Sequence, residues 1–207
     1  MTIFYAFFTN YRYYIRRMMK FFNYLYDKNM VSIQLGEYFI TDEDMIIHTI
    51  LGSCISVCLY VPGNNLTGIN HFMLPANPLH NEMKKPGQYG INAMELLFAE
   101  FVKKGIGIKS LKAKVYGGGN ITRTTNEDNI GSNNIKFIQE FLRTEGIPVI
   151  EKDVGGFLGR KLLYFTKTHE VVITASKDMA KVREEEKQYQ ADLQKKINVE
   201  PDITFFK

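Results

Sequence analysis

Around Ile55 the chain alternates strictly, with Ile55, Val57, Leu59 and Val61 on one parity and Cys54, Ser56, Cys58 and Tyr60 on the other. Successive side chains of a strand point to opposite sides, so this period of two predicts a β-strand with two different faces. Pro62-Gly63-Asn64-Asn65 supplies the residues of a turn. Residues 66–74 then run back antiparallel as the second arm of a hairpin. Further strands are predicted over 31–40, 45–51, 111–116, 149–152, 162–166 and 171–174, with a polar turn at Thr41-Asp42-Glu43-Asp44.

Elsewhere the period lengthens to that of a helix. Ile91, Met94, Leu97, Phe98, Phe101 and Val102 predict a helix over 89–104, stopped by Gly105. Ile135, Phe137, Ile138, Phe141 and Leu142 predict another over 135–145, capped by Ser132 or Asn133 and ended by Gly146. Residues 177–198 form a charged helix whose stripe of Met179, Val182, Tyr189, Leu193 and Ile197 is incomplete, fitting either a partner helix or a solvated tail. Many strands with only two core helices predict an α+β fold, a layered mixed or mainly antiparallel sheet with helices packed on it.

The hairpin carries the candidate chemistry. Any even-length loop between its arms places His71 on the same face as Cys54, opposite it or one diagonal away. A free thiol is only a few per cent thiolate at neutral pH, so an imidazole that accepts its proton turns it into a working nucleophile. Cys54 follows a Gly-Ser step, where the backbone turns tightly and the N–H groups of Ser53 and Cys54 are natural oxyanion donors. The chemistry requires the sulfur to lie in a groove open to an extended side chain. A Cys and a His on neighbouring strands are also a common packing arrangement, and spacing alone does not separate the two.

The motifs around this pair resemble the CheD family of chemotaxis proteins. The resemblance rests on Gly36-Glu37-Tyr38, on LGSCISVCLY beginning at Leu51, and on Asn70-His71-Phe72-Met73-Leu74-Pro75. It continues through Gly87-Gln88-Tyr89, Ala113 to Asn120, Asn129 to Asn134, and Asp153-Val154-Gly155-Gly156 with Gly159-Arg160. What it implies is a deamidase domain over 31–176 that converts glutamines of methyl-accepting chemotaxis receptors to glutamate, with receptor methylesterase activity in some members. It further implies a Cys54-His71-Thr49 triad, in which Thr49 orients the imidazole. Thr49 is otherwise a plain β-branched strand residue. Ser53 and Arg160 are expected at the substrate, Arg160 against an acidic receptor surface or else in a surface salt bridge. A CheC-like protein is the implied regulatory partner, and no cofactor is implied. The rivals are a non-catalytic receptor- or CheC-binding adaptor of the same fold and a thiol hydrolase acting on another protein.

Composition changes this picture little. The 207 residues are 45% hydrophobic and 23% charged, as expected for one domain with extensions. A net charge of +4, dispersed along the chain, does not demand nucleic acid. The two cysteines, Cys54 and Cys58, would lie ~13 Å apart along one strand face and cannot bridge. With four scattered histidines they also make a poor zinc set. Reduced thiols and the lack of an export pattern point to the cytoplasm. Gly117-Gly118-Gly119 lacks a phosphate-loop pattern and reads as a tight turn with close backbone approach. Residues 75–88 read as a loop across the mouth of the site. Residues 1–30 form an extension in which aromatic residues are mixed with Arg12, Arg16, Arg17 and Lys20. Two readings of it are open: a peripheral membrane contact through residues 1–29, or an upstream segment ahead of a start at Met30.

Overall fold

The alternating strands fold into two sheets rather than one. The computed structural model describes residues 19–74, 87–123, 125, 129–176, 180, 182–184, 186–189 and 191. One five-stranded sheet contains, in spatial order, β1 (Met19–Asn23), β2 (Lys28–Ser32), β4 (Ile46–Leu51), β9 (Arg160–Phe165) and β10 (Glu170–Ala175). The other runs β3 (Tyr38–Thr41), β6 (Thr67–Phe72), β5 (Ile55–Tyr60), β7 (Lys112–Gly117) and β8 (Val149–Val154). Each sheet has one parallel pair, β2 with β4 and β7 with β8, and is otherwise antiparallel. With α1 (Gly87–Lys103) and α2 (Ile130–Thr144) the architecture is α+β.

The period of two explains the layering. Ile55, Val57, Leu59 and Phe72 join a core with Met94, Leu97 and Phe101 of α1 and Ile138 and Leu142 of α2. The opposite parity, Cys54, Cys58, Ile69 and Met73, packs on Ile47, Leu51, Leu162 and Tyr164 of the first sheet. The second sheet is therefore the middle layer, and its central strands β5 and β6 are buried on both faces, which is why β6 has no exposed residue, while β8 at its edge is exposed.

Local chemistry sets where elements break. The stretch 31–40, expected as one strand, divides between the two sheets at Gly36, whose φ of +89° no β-branched residue adopts cheaply. Glu37 closes this turn by accepting the Gln34 N–H at 2.7 Å. The helix expected over 135–145 begins at Ile130, because the Asn129 side chain, not Ser132 or Asn133, accepts the Ser132 N–H as its cap. Of the N-terminal extension, residues 1–18 lie outside the described residues, while Met19–Asn23 pairs antiparallel with β2. The expected loop 75–88 lies outside them as far as residue 86.

The glycine run after β7 packs against the loop that carries Cys54. Gly117 has φ +109°, and a Cβ there would stand 2.1 Å from the Cys54 carbonyl oxygen. Gly117→Ala is expected to cost roughly 3 kcal/mol or more in urea unfolding. Gly63→Ala, at φ +77° but facing open space, is expected to cost only about 1 kcal/mol. Equal costs would show that the close approach is not what selects glycine at 117.

Candidate active site

Cys54 stands at the entry to β5, on a loop whose carbonyls are all held from behind. The Gly118 N–H donates to the Cys54 carbonyl at 2.7 Å and the Gly119 N–H to that of Gly52 at 2.8 Å. Asn134 of α2 donates its amide to the Ser53 carbonyl at 2.8 Å, and its Oδ1 accepts the Leu74 N–H at 2.8 Å. In a trans peptide the N–H points opposite to the C=O. Fixing the Gly52 and Ser53 carbonyls therefore aims the N–H groups of Ser53 and Cys54 the other way, toward a common point. One oxygen occupies that point: Oε1 of Glu186 accepts from Ser53 N at 2.7 Å and from Cys54 N at 3.2 Å. Oε2 of the same carboxylate accepts from the Ser53 hydroxyl at 2.8 Å.

His71 arrives on β6 opposite Ser56, one diagonal from Cys54. Tyr60 pairs with Thr67, leaving residues 61–66, an even number, in the loop, so the parity needed for a shared face is met. Its backbone is held by Gly36, whose N–H donates to the His71 carbonyl at 2.7 Å, and by the Glu37 carbonyl, which accepts the His71 N–H at 2.9 Å. The imidazole Nε2 lies 2.8 Å from Cys54 Sγ, and Nδ1 lies 2.8 Å from Thr49 Oγ1. Thr49 donates its only hydroxyl proton to the Ile33 carbonyl at 2.9 Å. It must then accept from Nδ1–H, which leaves Nε2 as the acceptor for the thiol proton. Cys54, His71, Thr49 and Ser53 are thus brought together.

Arg160 is placed differently. Its guanidinium donates to Asp153 at 2.8 Å and to the carbonyls of Gly155 at 2.8 Å and Leu158 at 3.2 Å, which staples the β8–β9 turn. In the sequence Asn134 stands out only as the end of the Asn129–Asn134 motif, just ahead of the expected helix, yet it sits at the same face as Ile138 and Leu142, spaced by four. A polar residue on a buried stripe is the signal that finds it. Glu186, inside the run Glu184-Glu185-Glu186, resembles a solvated face, and no local signal marks it.

The site differs from the open groove expected of it. Cys54 is 1% exposed and His71 5%, because the helical residues near 180–191 lie over the loop. A Cβ on Gly52 would meet Glu186 and Val182 at 2.6 and 3.0 Å, and one on Gly36 would meet Tyr189 at 3.3 Å. Burial pushes the Cys54 thiol well above its ordinary pKa, and the Glu186 carboxylate pushes it further. Burial lowers His71 to about 3. Glu186 is itself raised by burial, although the Ser53 and Cys54 hydrogen bonds oppose the shift. The resting pair is neutral thiol and neutral imidazole. Among the described residues no group of three or more His, Cys, Asp or Glu is placed to hold a metal ion, and no helix is long and apolar enough to cross a membrane.

The site of this α+β protein is a thiol on an imidazole ordered by a hydroxyl, beside two converging backbone donors, an arrangement of the kind that acyl transfer through a cysteine requires. Comparison with known proteins supplies the family. The model of "CheD chemotactic sensory transduction" matches residues 73–175. A protein of Laribacter hongkongensis named "Probable chemoreceptor glutamine deamidase CheD" is 37% identical over 77% of this chain and 78% of its own. "Probable chemoreceptor glutamine deamidase CheD 1" of Shewanella oneidensis is 40% identical over 72% of this chain and 73% of its own. The chain belongs to the CheD family. A solved structure, the Bacillus licheniformis hypothetical protein YfiH, aligns with a TM-score of 0.38 and 15% identity over 56% of this chain and 50% of that one, too distant to bear on fold or function. The family match begins two residues past His71, so the grouping of Thr49, Cys54 and His71 rests on the geometry above.

The lowered His71 pKa has a definite sign. Above pH 6.5 the ring is neutral both folded and unfolded. As pH falls from 6.5 toward about 3 only the unfolded chain takes the proton, so stability is lost through that window. His48, lowered to about 4 by burial and by Lys161, acts in the same direction. His71→Gln is expected to flatten the acid loss by about 1.4 kcal/mol per pH unit between pH 6 and 4. Parallel unfolding curves for wild type and variant across that range would contradict the assignment.

Proposed function

We propose that this chain hydrolyses the side-chain amide of glutamine residues on the cytoplasmic helical domain of methyl-accepting chemotaxis receptors, with Cys54 as nucleophile. The observation that carries the reading is the 2.8 Å contact from Cys54 Sγ to a His71 Nε2 whose other nitrogen is fixed by Thr49. The names of the relatives supply the substrate. Sγ passes its proton to Nε2 as it adds to the amide carbon, and the oxygen of the tetrahedral intermediate lies on the N–H groups of Ser53 and Cys54. Donors of this kind are each worth about 3 kcal/mol of barrier. His71 returns the proton to departing ammonia, then activates the water that releases glutamate from the thioester. No cofactor takes part.

The chemistry is assigned to residues 31–176, with 1–30 and 177–207 as extensions. The same acyl route serves a glutamyl methyl ester, which accounts for receptor methylesterase activity as a second reaction. Resemblance adds a CheC-like regulatory partner. The burial of Cys54 favours one other reading, a receptor- or CheC-binding adaptor without turnover.

The two are separated by mass spectrometry of a receptor cytoplasmic fragment after incubation. Wild type is expected to add about 1 Da at particular glutamines, Cys54→Ala to add none, and Cys58→Ala to retain activity. Bound but unmodified receptor would favour the adaptor. Thr49→Val is expected to lower kcat roughly 10- to 100-fold with KM little changed. An unaltered kcat would remove Thr49 from the reaction.

A further inference from the structure

The same carboxylate that fills the converging donors belongs to the chain itself. Where described, residues 180–191 are helical, with Val182 and Glu186 buried, Tyr189 half-buried, and Arg183, Glu184, Lys187 and Gln188 exposed. Positions 182, 186 and 189 follow the four-then-three spacing of one helix face. Val182 contacts the loop at Gly52, Tyr189 lies against Gly36, and Glu186 reaches the donors between them. Arg183 adds a bond from its guanidinium to the Ile121 carbonyl at 2.6 Å.

Glu186 carries the γ-carboxylate that glutamine hydrolysis produces. Its Oε1 takes both backbone N–H groups, where the amide oxygen of a substrate has to lie, and the carboxylate is close enough to the Cys54 thiol to raise its pKa. We propose that Glu186 is a built-in product analogue: the helix of residues 180–191 closes the site by seating its own glutamate on the oxyanion donors, and must lift away before a receptor glutamine enters. The proposal rests on the reading of the site as a glutamine amidohydrolase. It also defines how substrate is presented, as a γ-carboxamide delivered from the side of an intact α-helix with no unwinding of the backbone that bears it.

The seat is built to be given up. Val182, Tyr189 and Glu186 face inward, Arg183 adds its one bond to Ile121, the other described side chains are exposed, and the carboxylate is held against its own desolvation. Elements with few buried contacts open at low free energy. An active site blocked by a tethered analogue reacts in proportion to the fraction of time it stands open.

Full-length wild type and Glu186→Ala, checked for equal thermal unfolding, are compared in two assays. In the first, peptide mass spectrometry follows alkylation of Cys54 by iodoacetamide, with Cys58 as internal control. In the second, deamidation of the receptor fragment is timed. Glu186→Ala is expected to raise both rates about tenfold or more and leave Cys58 unchanged. Unchanged Cys54 alkylation overturns the proposal, as does deamidation that falls in the variant. Faster alkylation with receptor unmodified by either protein retains the closing helix and removes the receptor-deamidase reading. Equal deamidation and equal alkylation do the reverse.

Glu186→Gln adds an independent readout, because it presents a carboxamide to the same donors. Sγ adds to Cδ, the C–N bond breaks with loss of ammonia, and water hydrolyses the thioester to restore glutamate and thiol. Residue 186 is therefore expected to gain about 1 Da at a rate independent of protein concentration, and not in Cys54→Ala/Glu186→Gln. A glutamine at 186 that persists while receptor glutamines are converted overturns the product-analogue assignment.

Discussion

One line of hydrogen bonds, from the Cys54 thiol through His71 and Thr49 to the Ile33 carbonyl, crosses the interface between the two sheets. Cys54 and His71 belong to the middle layer, Thr49 to the outer sheet. The spacing of the reacting groups is therefore set by how the two sheets pack, through Ile47, Leu51, Leu162 and Tyr164 against Cys58, Ile69, Met73 and Tyr116. A second polar tie, between the hydroxyls of Thr67 and Tyr164, joins the same sheets near their other end. Close-packed interiors do not deform continuously, so a site built across two of them holds its geometry without a metal or a disulfide. The cost is that every polar atom in the line must be satisfied, since an orphaned donor inside an apolar layer loses about 1–3 kcal/mol.

The electrostatics follow from the same burial. Low dielectric favours the neutral forms of thiol and imidazole, so the resting pair carries no charge and formation of a thiolate–imidazolium pair is opposed. In the proposed reaction the charge that develops during attack is met by dipoles already in place, the N–H groups of Ser53 and Cys54. Their direction is fixed by Gly119 and Asn134, which pull on the carbonyls of the same two peptides. Gly118 anchors the next carbonyl, so the glycine run holds the loop that carries Cys54.

Much of this was legible in the chain. Alternation located the hairpin and made a shared face for His71 and Cys54 depend on an even loop, which residues 61–66 supply, because a strand's side-chain period is an integer and a slip by one residue inverts it. The number of sheets was not legible. Alternation says that two faces differ, but β6 is buried on both, and which strand lies across from it is decided by residues far away in sequence. The break at Gly36 was masked by apolar residues on either side. Arg160 looked available for substrate because a sequence shows a charge and not its partners; Asp153 and two carbonyls engage it. Glu186 was hidden more deeply. Its partners are Ser53 and Cys54, more than a hundred residues earlier, and an acidic triplet on a charged helix carries no mark that one member turns inward.

The protonation of His71 tests the account most directly, because the whole line of donors and acceptors dictates it. Nitrogen-15 spectra of the ring at pH 7 are expected to show a neutral imidazole with its proton on Nδ1 and an unprotonated, hydrogen-bonded Nε2, the Nδ1 signal changing in Thr49→Val. A proton on Nε2, or a freely exchanging ring that titrates near pH 6.5, would contradict it.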